Sequence, residues 1–231
     1  MKLCNLMFKF NHGQEPFFSD VSCDFKPGVV HVVRGRNGVG KSTLLRLLQG
    51  LVGPDEQVTG TVMLGNRVID MAQRPELLTR LVKKIVQKYD GMLADQLTGA
   101  ENLSLAALGK HPGLCKLPPV TDTYGYAAQF SLDLSLPTGK LSGGQRQILA
   151  ILMLLQQRPE VLLLDEPTAA LDDANAKLVT VFLQRLVHEH GLVVIVITHD
   201  DLFARLCNPV GFYDVVRGLN GTRMVEYKTF Y

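Results

Sequence analysis

The chain has 231 residues, with 24 Lys and Arg against 22 Asp and Glu, for a formal net charge of +2. Near neutrality without a long basic tract gives no case for nucleic acid as a partner. A 46% hydrophobic, 20% charged composition is that of an ordinary globular protein, of one domain or two closely packed subdomains. The most apolar runs, 148–155 and 192–198, fall far short of the roughly 20 residues that span a bilayer, so the chain is not expected to form a pore.

The N-terminus lacks the apolar stretch of a signal peptide. Cys4, Cys23, Cys115 and Cys207 are scattered, with no CxxC pair and no metal-type Cys/His cluster, and are expected to be reduced thiols. Segments 7–10, 21–25 and 29–34 read as short strands, separated by turns at 11–14 and 26–28. The run Val29-Val30-His31-Val32-Val33 is a buried strand by composition, and it leads straight into a glycine loop. Residues 41–50 follow as a helix with Leu44, Leu45, Leu47 and Leu48 inward and Gly50 as the stop. Segments 58–64 and 67–69 form a hairpin turning at Gly65-Asn66. The Lys83, Lys84 and Lys88 cluster reads as a solvated helix face, while Lys84-Ile85-Val86 is also strand-like.

From 87 to about 140 the texture changes. Thr98, three residues before Glu101, opens a helix that runs on through Leu108. A Gly/Pro-rich stretch, 109–119, breaks it. Residues 124–132 and 145–157 read as two further helices. Buried strands at 161–164 and 193–198 are joined by an amphipathic helix at 174–190, and the chain finishes on a strand pair within 217–231. Strand, loop, helix and strand alternate as in a doubly wound parallel sheet.

Three motifs carry chemistry. Gly35-Arg36-Asn37-Gly38-Val39-Gly40-Lys41-Ser42-Thr43 fits G-x-x-x-x-G-K-[ST] between a strand and a helix. Glycines let successive N–H groups curl around phosphate oxygens, and the helix N-terminus adds its dipole. Lys41 neutralises β/γ-phosphate charge and the Ser42 hydroxyl is a ligand for Mg²⁺. Asp165 closes an apolar strand, where a carboxylate needs a cationic partner such as Mg²⁺, and Glu166 follows it, placed to polarise an attacking water. Between these two lies Leu141-Ser142-Gly143-Gly144-Gln145, a glycine turn starting a helix.

The order and spacing of these three motifs resemble the ATP-binding cassette ATPases, the motor subunits of ABC transporters, over nearly the whole chain from Leu3 to His199. The resemblance implies an α/β P-loop NTPase (RecA-like) core with an N-terminal antiparallel β subdomain and an inserted α-helical subdomain. It divides the chain into 1–86 (β subdomain and first part of the core), 87–157 (helical, with the signature) and 158–231 (rest of the core). It implies ATP and Mg²⁺ as cofactors, with Glu166 as catalytic base and His199 as the switch histidine at the γ-phosphate. Gln87 resembles the Q-loop glutamine that senses Mg²⁺ and water. Ser142, Gly143, Gly144 and Gln145 form the signature that caps the nucleotide of a second, head-to-tail cassette. Asp172 resembles the D-loop aspartate of that seam. Phe10 is the choice for stacking on adenine, with Phe8 and Phe17 as alternatives.

The resemblance further implies a second cassette chain (a homodimer), transmembrane permease subunits and a substrate-binding protein as partners. The chain would then sit on the cytoplasmic face of the membrane and couple hydrolysis to import of a small solute such as an amino acid. Many importers continue the signature as QRVAIARAL. The different run here, Gln145-Arg146-Gln147-Ile148-Leu149, with His188-Glu189-His190-Gly191-Leu192, resembles ATPases of tryptophan/tyrosine-type uptake systems. Only about thirty residues follow His199, so no added regulatory domain is expected there. A soluble cassette, for example in cluster assembly, and an exporter ATPase remain alternatives. Glu166 with His199 argues against a module that binds nucleotide without turnover.

Overall fold

The computed structural model describes residues 1–11, 15–85, 89–108, 125–169, 171–207, 210–218 and 221–230, with the side chains of Tyr89 and Asp90 left aside. The elements in chain order are β1 (Lys2–Lys9), β2 (Phe18–Asp24), β3 (Val30–Arg34), α1 (Lys41–Leu48), β4 (Gln57–Leu64), β5 (Arg67–Asp70), α2 (Leu78–Leu81), β6 (Val82–Ile85) and α3 (Gly99–Ala107). There follow α4 (Tyr126–Gln129), α5 (Gly143–Leu155), β7 (Val161–Asp165), α6 (Asp173–His190), β8 (Val193–Ile197), α7 (Asp201–Cys207), β9 (Gly211–Arg217) and β10 (Arg223–Thr229).

Among the described residues ten strands form one sheet, ordered β5-β4-β1-β2-β10-β9-β3-β8-β7-β6. At one end the antiparallel half is β5-β4-β1-β2. At the other, β3-β8-β7-β6 is parallel throughout, and the antiparallel pair β10-β9 joins the two by parallel contacts with β2 and β3. The parallel half is the sheet expected from the alternation of strands and helices, and the whole is the α/β architecture that the resemblance implies.

The parallel strands are apolar on both faces because both faces are covered. Val30, Val32, Leu162, Leu164, Val194 and Val196 face a core shared with α5, α6 and α7. Val33, Val161, Leu163, Val193, Ile195 and Ile197 face the other way, onto the leucines of α1. A period-2 backbone turns each continuous Val/Ile/Leu run into two opposite core surfaces.

Several sequence expectations shift. The first strand runs Lys2–Lys9 rather than 7–10. Asn5 takes a positive φ of 51° and the pairing with β2 slips between Leu3 and Leu6, which breaks the alternation that marks a strand. The expected helix at 124–132 is only the single turn of α4, between Gly125 and Ser131, both at positive φ. The closing strand pair is β9–β10 and begins at Gly211, not 217. Lys83 and Lys84 are not on a solvated helix face but on strand β6. Thr98 caps α3 through a reciprocal box with Glu101, as the sequence predicts. Gly109 to Pro119, Cys115, Lys88 and the turn residues His12 to Gln14 lie outside the described residues. Burial pushes the free thiols of Cys23 and Cys207 up to about 12.

Candidate nucleotide site

In an open parallel sheet, ligands bind outside the carboxyl ends of the strands. Because β3, β8 and β7 run the same way, their following loops converge there. A cavity of about 680 Å³ at that end is lined by Asn37, Gly38, Gly40, Lys41, Ser42 and Thr43 after β3, Asp165 and Glu166 at the end of β7, Ile197 and His199 at the end of β8, and Phe10 and Phe17 from the antiparallel half. Residues up to about 190 positions apart in the chain thus share one hollow of ligand size.

The phosphate loop takes its shape from glycine. Gly40 caps α1 at φ 114°, and a Cβ there would lie 2.7 Å from the Phe17 ring. Any side chain would therefore close the loop's approach to the aromatic wall. Lys41, 8% exposed, donates from Nζ to the carbonyls of Gly35 (2.7 Å) and Arg36 (3.2 Å). Burial pulls the Lys41 ammonium below its ordinary value, against the raising pull of Glu166, Asp165 and Asp214. A negatively charged ligand oxygen would add to that pull and hold the proton. Gly35 and Arg36 line a neighbouring hollow with Asp201 and Asp214, and Val39 packs on the α1-side core.

At the end of β7, Glu166 has a positive φ of 50°, a conformation that non-glycine residues rarely adopt and that clusters at functional sites. Its N–H donates to the Ile197 carbonyl at 2.9 Å. Its carboxylate accepts the His199 N–H at 3.4 Å and lies 3.6 Å from His199 Nε2. Glu166 and His199 thus form one unit across the tips of β7 and β8. Asp165 Oδ2 accepts from Lys84 Nζ at 2.9 Å. Sequence reasoning missed this role of Lys84, which stands between Lys83 and Ile85 on a short strand and reads there as one of a solvated basic cluster.

Asp165 and the Ser42 hydroxyl bound the same cavity. One carboxylate and one hydroxyl, completed by ligand phosphates and water, is the sparse oxygen donor set that suits Mg²⁺. Among the described residues no cluster of three or more His, Cys, Asp or Glu offers a full protein cage for a metal. Gln87 lies outside the described residues.

The aromatic candidates separate. Phe8 is fully buried and does not line the cavity. The Phe17 ring carries the Arg223 guanidinium 3.9 Å from its centroid. Phe10 is 37% exposed and meets both at edge-on contacts of 4.7 and 4.9 Å.

Ser142, Gly143, Gly144, Gln145 and Asp172 do not line this cavity. Ser142 caps α5 through a reciprocal box with Gln145, as Thr98 does for α3. Asp172 caps α6 by accepting the Asn175 N–H at 2.8 Å. Asn175, unremarked in the sequence, joins the two caps: its Oδ1 accepts the Ser142 hydroxyl (3.0 Å) and the Gly144 N–H (3.2 Å), while its Nδ2 donates to Asp172. A Cβ at Gly144 would sit 2.6 Å from Asn175 Oδ1, so any larger residue here displaces the Asn175 amide from this bridge.

Comparison with known proteins shows the family and the fold of the chain. The family model described as ABC transporter matches residues 18–169. The phosphonates import ATP-binding protein PhnC 1 of Natronomonas pharaonis is 34% identical over 93% of this chain and 88% of its own length. The tyrosine transport ATP-binding protein of Clostridioides difficile is 34% identical over 79% of this chain and 74% of its own. A putative ABC transporter ATP-binding protein of Onion yellows phytoplasma is 31% identical over 87% of this chain, which spans only 33% of that protein. Among solved structures, cbiO1 from Clostridium perfringens, part of the ABC transporter complex cbiONQ, has 26% identity and a TM-score of 0.75, over 92% of this chain and 83% of its own. The cassette MJ0796, dimeric in a post-hydrolysis state with ADP and Pi, has 25% identity and a TM-score of 0.70, over 100% of this chain and 98% of its own.

Proposed function

The chain belongs to the ABC transporter family of ATP-binding cassette ATPases, and on that footing we propose that it hydrolyses ATP to drive import of a small solute, such as an amino acid, through separate membrane subunits. The observation that supports hydrolysis is the convergence of Lys41, Ser42, Asp165, Glu166 and His199 on one cavity. In this reading the loop N–H groups of residues 35–43 and Lys41 hold the β- and γ-phosphates. Ser42, Asp165 and Gln87 hold Mg²⁺, which when bound neutralises charge on the β/γ oxygens. Glu166 accepts a proton from the attacking water. His199, held to Glu166 at the tip of β8, meets the γ-phosphate. Phe10 stacks on the base.

Ser142, Gly143, Gly144 and Gln145, with Asp172, then serve the nucleotide of a second copy of the chain. That they do not line the chain's own cavity supports that assignment, as do the dimeric cassettes among its structural relatives. A homodimer has two such composite sites. No helix among the described residues is long and apolar enough to cross a membrane. In this reading permease subunits carry the solute and hold the cassettes at the cytoplasmic face, with a binding protein delivering it, which relatives named as import ATP-binding proteins and as part of a transporter complex support. Import is supported by relatives named for phosphonate and methionine import, and an amino acid by those named for methionine and tyrosine.

The test is phosphate release by the purified chain with Mg²⁺ and ATP. Glu166→Gln should lower the rate by about two to four powers of ten, the usual worth of a general base, while ATP still binds. A variant that turns over at the wild-type rate removes Glu166 from this role.

A further inference from the structure

The proposed nucleotide site has one basic residue more than its phosphate loop supplies. Strand β6 pairs in parallel with β7, with Lys84 opposite Leu163. Val82 packs in the core on the α1 side of the sheet, as do Val161 and Leu163. By the two-residue period of a strand, Lys84 and Asp165 emerge on that same side, one step apart at the carboxyl ends of neighbouring strands. The Lys84 ammonium reaches Asp165 Oδ2 at 2.9 Å, with the two side chains only 16% and 19% exposed. Lys84 does not line the cavity itself; it reaches Asp165 from the β6 side.

Asp165 is the residue to which the proposed function gives the divalent ion. A carboxylate has two oxygens and can serve two cations, but two cations on one carboxylate repel each other. We propose that Lys84 is a positioning residue of the nucleotide site that shares Asp165 with the divalent ion: it offsets the carboxylate charge beneath the γ-phosphate and weakens the ion's hold on the site. The inference rests on the nucleotide reading above. Its consequences have opposite signs. Without metal, Lys84 shields the incoming phosphates from Asp165, so its loss weakens ATP binding. With metal, Lys84 competes for Asp165, so its loss tightens the ion. A residue needed only to hold β6 in place would move both affinities the same way, or neither.

The experiment measures ATP affinity by calorimetry in EDTA, and then the Mg²⁺ midpoint of the ATP-loaded chain. Lys84→Met keeps length and removes charge, while Lys84→Arg keeps charge. Lys84→Met should weaken ATP binding in EDTA and lower the Mg²⁺ midpoint, each by about tenfold for a charge pair this shielded from water. Lys84→Arg should stay near wild type in both. In an Asp165→Asn background, Lys84→Met should lose its effect on the Mg²⁺ midpoint, which keeps the test open if the single variant folds poorly. Changes of the same sign in both measurements, or no change in either, overturn the proposal. A wild-type chain that binds no Mg·ATP overturns the nucleotide reading and this inference with it. A wild type that binds Mg·ATP with an unchanged Lys84→Met variant overturns this inference alone.

Discussion

The Asn175 bridge can be tested by a substitution that harms one background and helps another. In Gly144→Ala the new Cβ would sit 2.6 Å from Asn175 Oδ1 and 3.0 Å from its Cβ, so the amide must swing away. That breaks the bonds Oδ1 accepts from the Ser142 hydroxyl and the Gly144 N–H. At about 1 kcal/mol net for each, the loss is ~2 kcal/mol. Alanine at a helical position returns up to about 1 kcal/mol over glycine, leaving Gly144→Ala destabilised by ~1 kcal/mol. Asn175→Ala removes the same two bonds together with the Nδ2 donation to Asp172, and costs ~3 kcal/mol. In the double variant the bonds are lost once and no clash remains, so it should stand only ~2 kcal/mol below wild type, where additivity requires ~4 kcal/mol. Urea unfolding of the four proteins, read at equal m-values, measures this. In the Asn175→Ala background, Gly144→Ala should therefore stabilise. A double variant as unstable as the sum of the singles, within about 0.5 kcal/mol, refutes the bridge.

Phe10→Ala should weaken Mg·ATP binding about tenfold, at the lower end of base–aromatic stacking, and Phe10→Tyr should retain it; equal affinities in fluorescence titration would move the base elsewhere. The bidentate Arg46–Glu56 pair, at 2.7 and 2.8 Å, holds the Glu56 carboxyl below its ordinary 4.5. A lowered folded-state value stabilises above the unfolded value and is lost as pH falls through the folded one. Arg46→Met should thus melt below wild type at neutral pH, and the gap should narrow as pH drops beneath 4.5; a gap that stays constant in thermal melts contradicts the pair's role. Lys41→Ala and Ser142→Ala should each be inactive alone, yet their mixture should regain some hydrolysis through the one intact composite site. No recovery, with mixed dimers seen by light scattering, would show that Ser142 does not act in trans or that the two sites fire only together.

What the sequence disclosed was what a local pattern encodes. The glycine loop, the apolar run ending in Asp165-Glu166, the capping box at Thr98 and the glycine turn that starts a helix at Leu141 to Gln145 are each written within a few residues, and each occupies the expected element. Lys84 reads locally as part of a solvated cluster because its partner is 81 residues away, and register across two parallel strands is not a property of either segment. Asn175 was hidden for the same reason, its partners lying 31 and 33 residues upstream on another helix. The first strand was underestimated because the irregularity at Asn5 shifts the phase of its alternation. Phe10, Phe8 and Phe17 could be told apart only by packing, which buries one ring and covers another with Arg223.

The central claim is that Mg·ATP binds in the cavity at the carboxyl ends of β3, β7 and β8, with Lys41 as its main phosphate counter-charge. Calorimetric titration of Mg·ATP into the wild-type chain and Lys41→Ala, both verified as folded by circular dichroism, tests this directly. The account predicts a binding isotherm near one nucleotide per chain for the wild type and its collapse in Lys41→Ala. Equal affinity in the two proteins would contradict it.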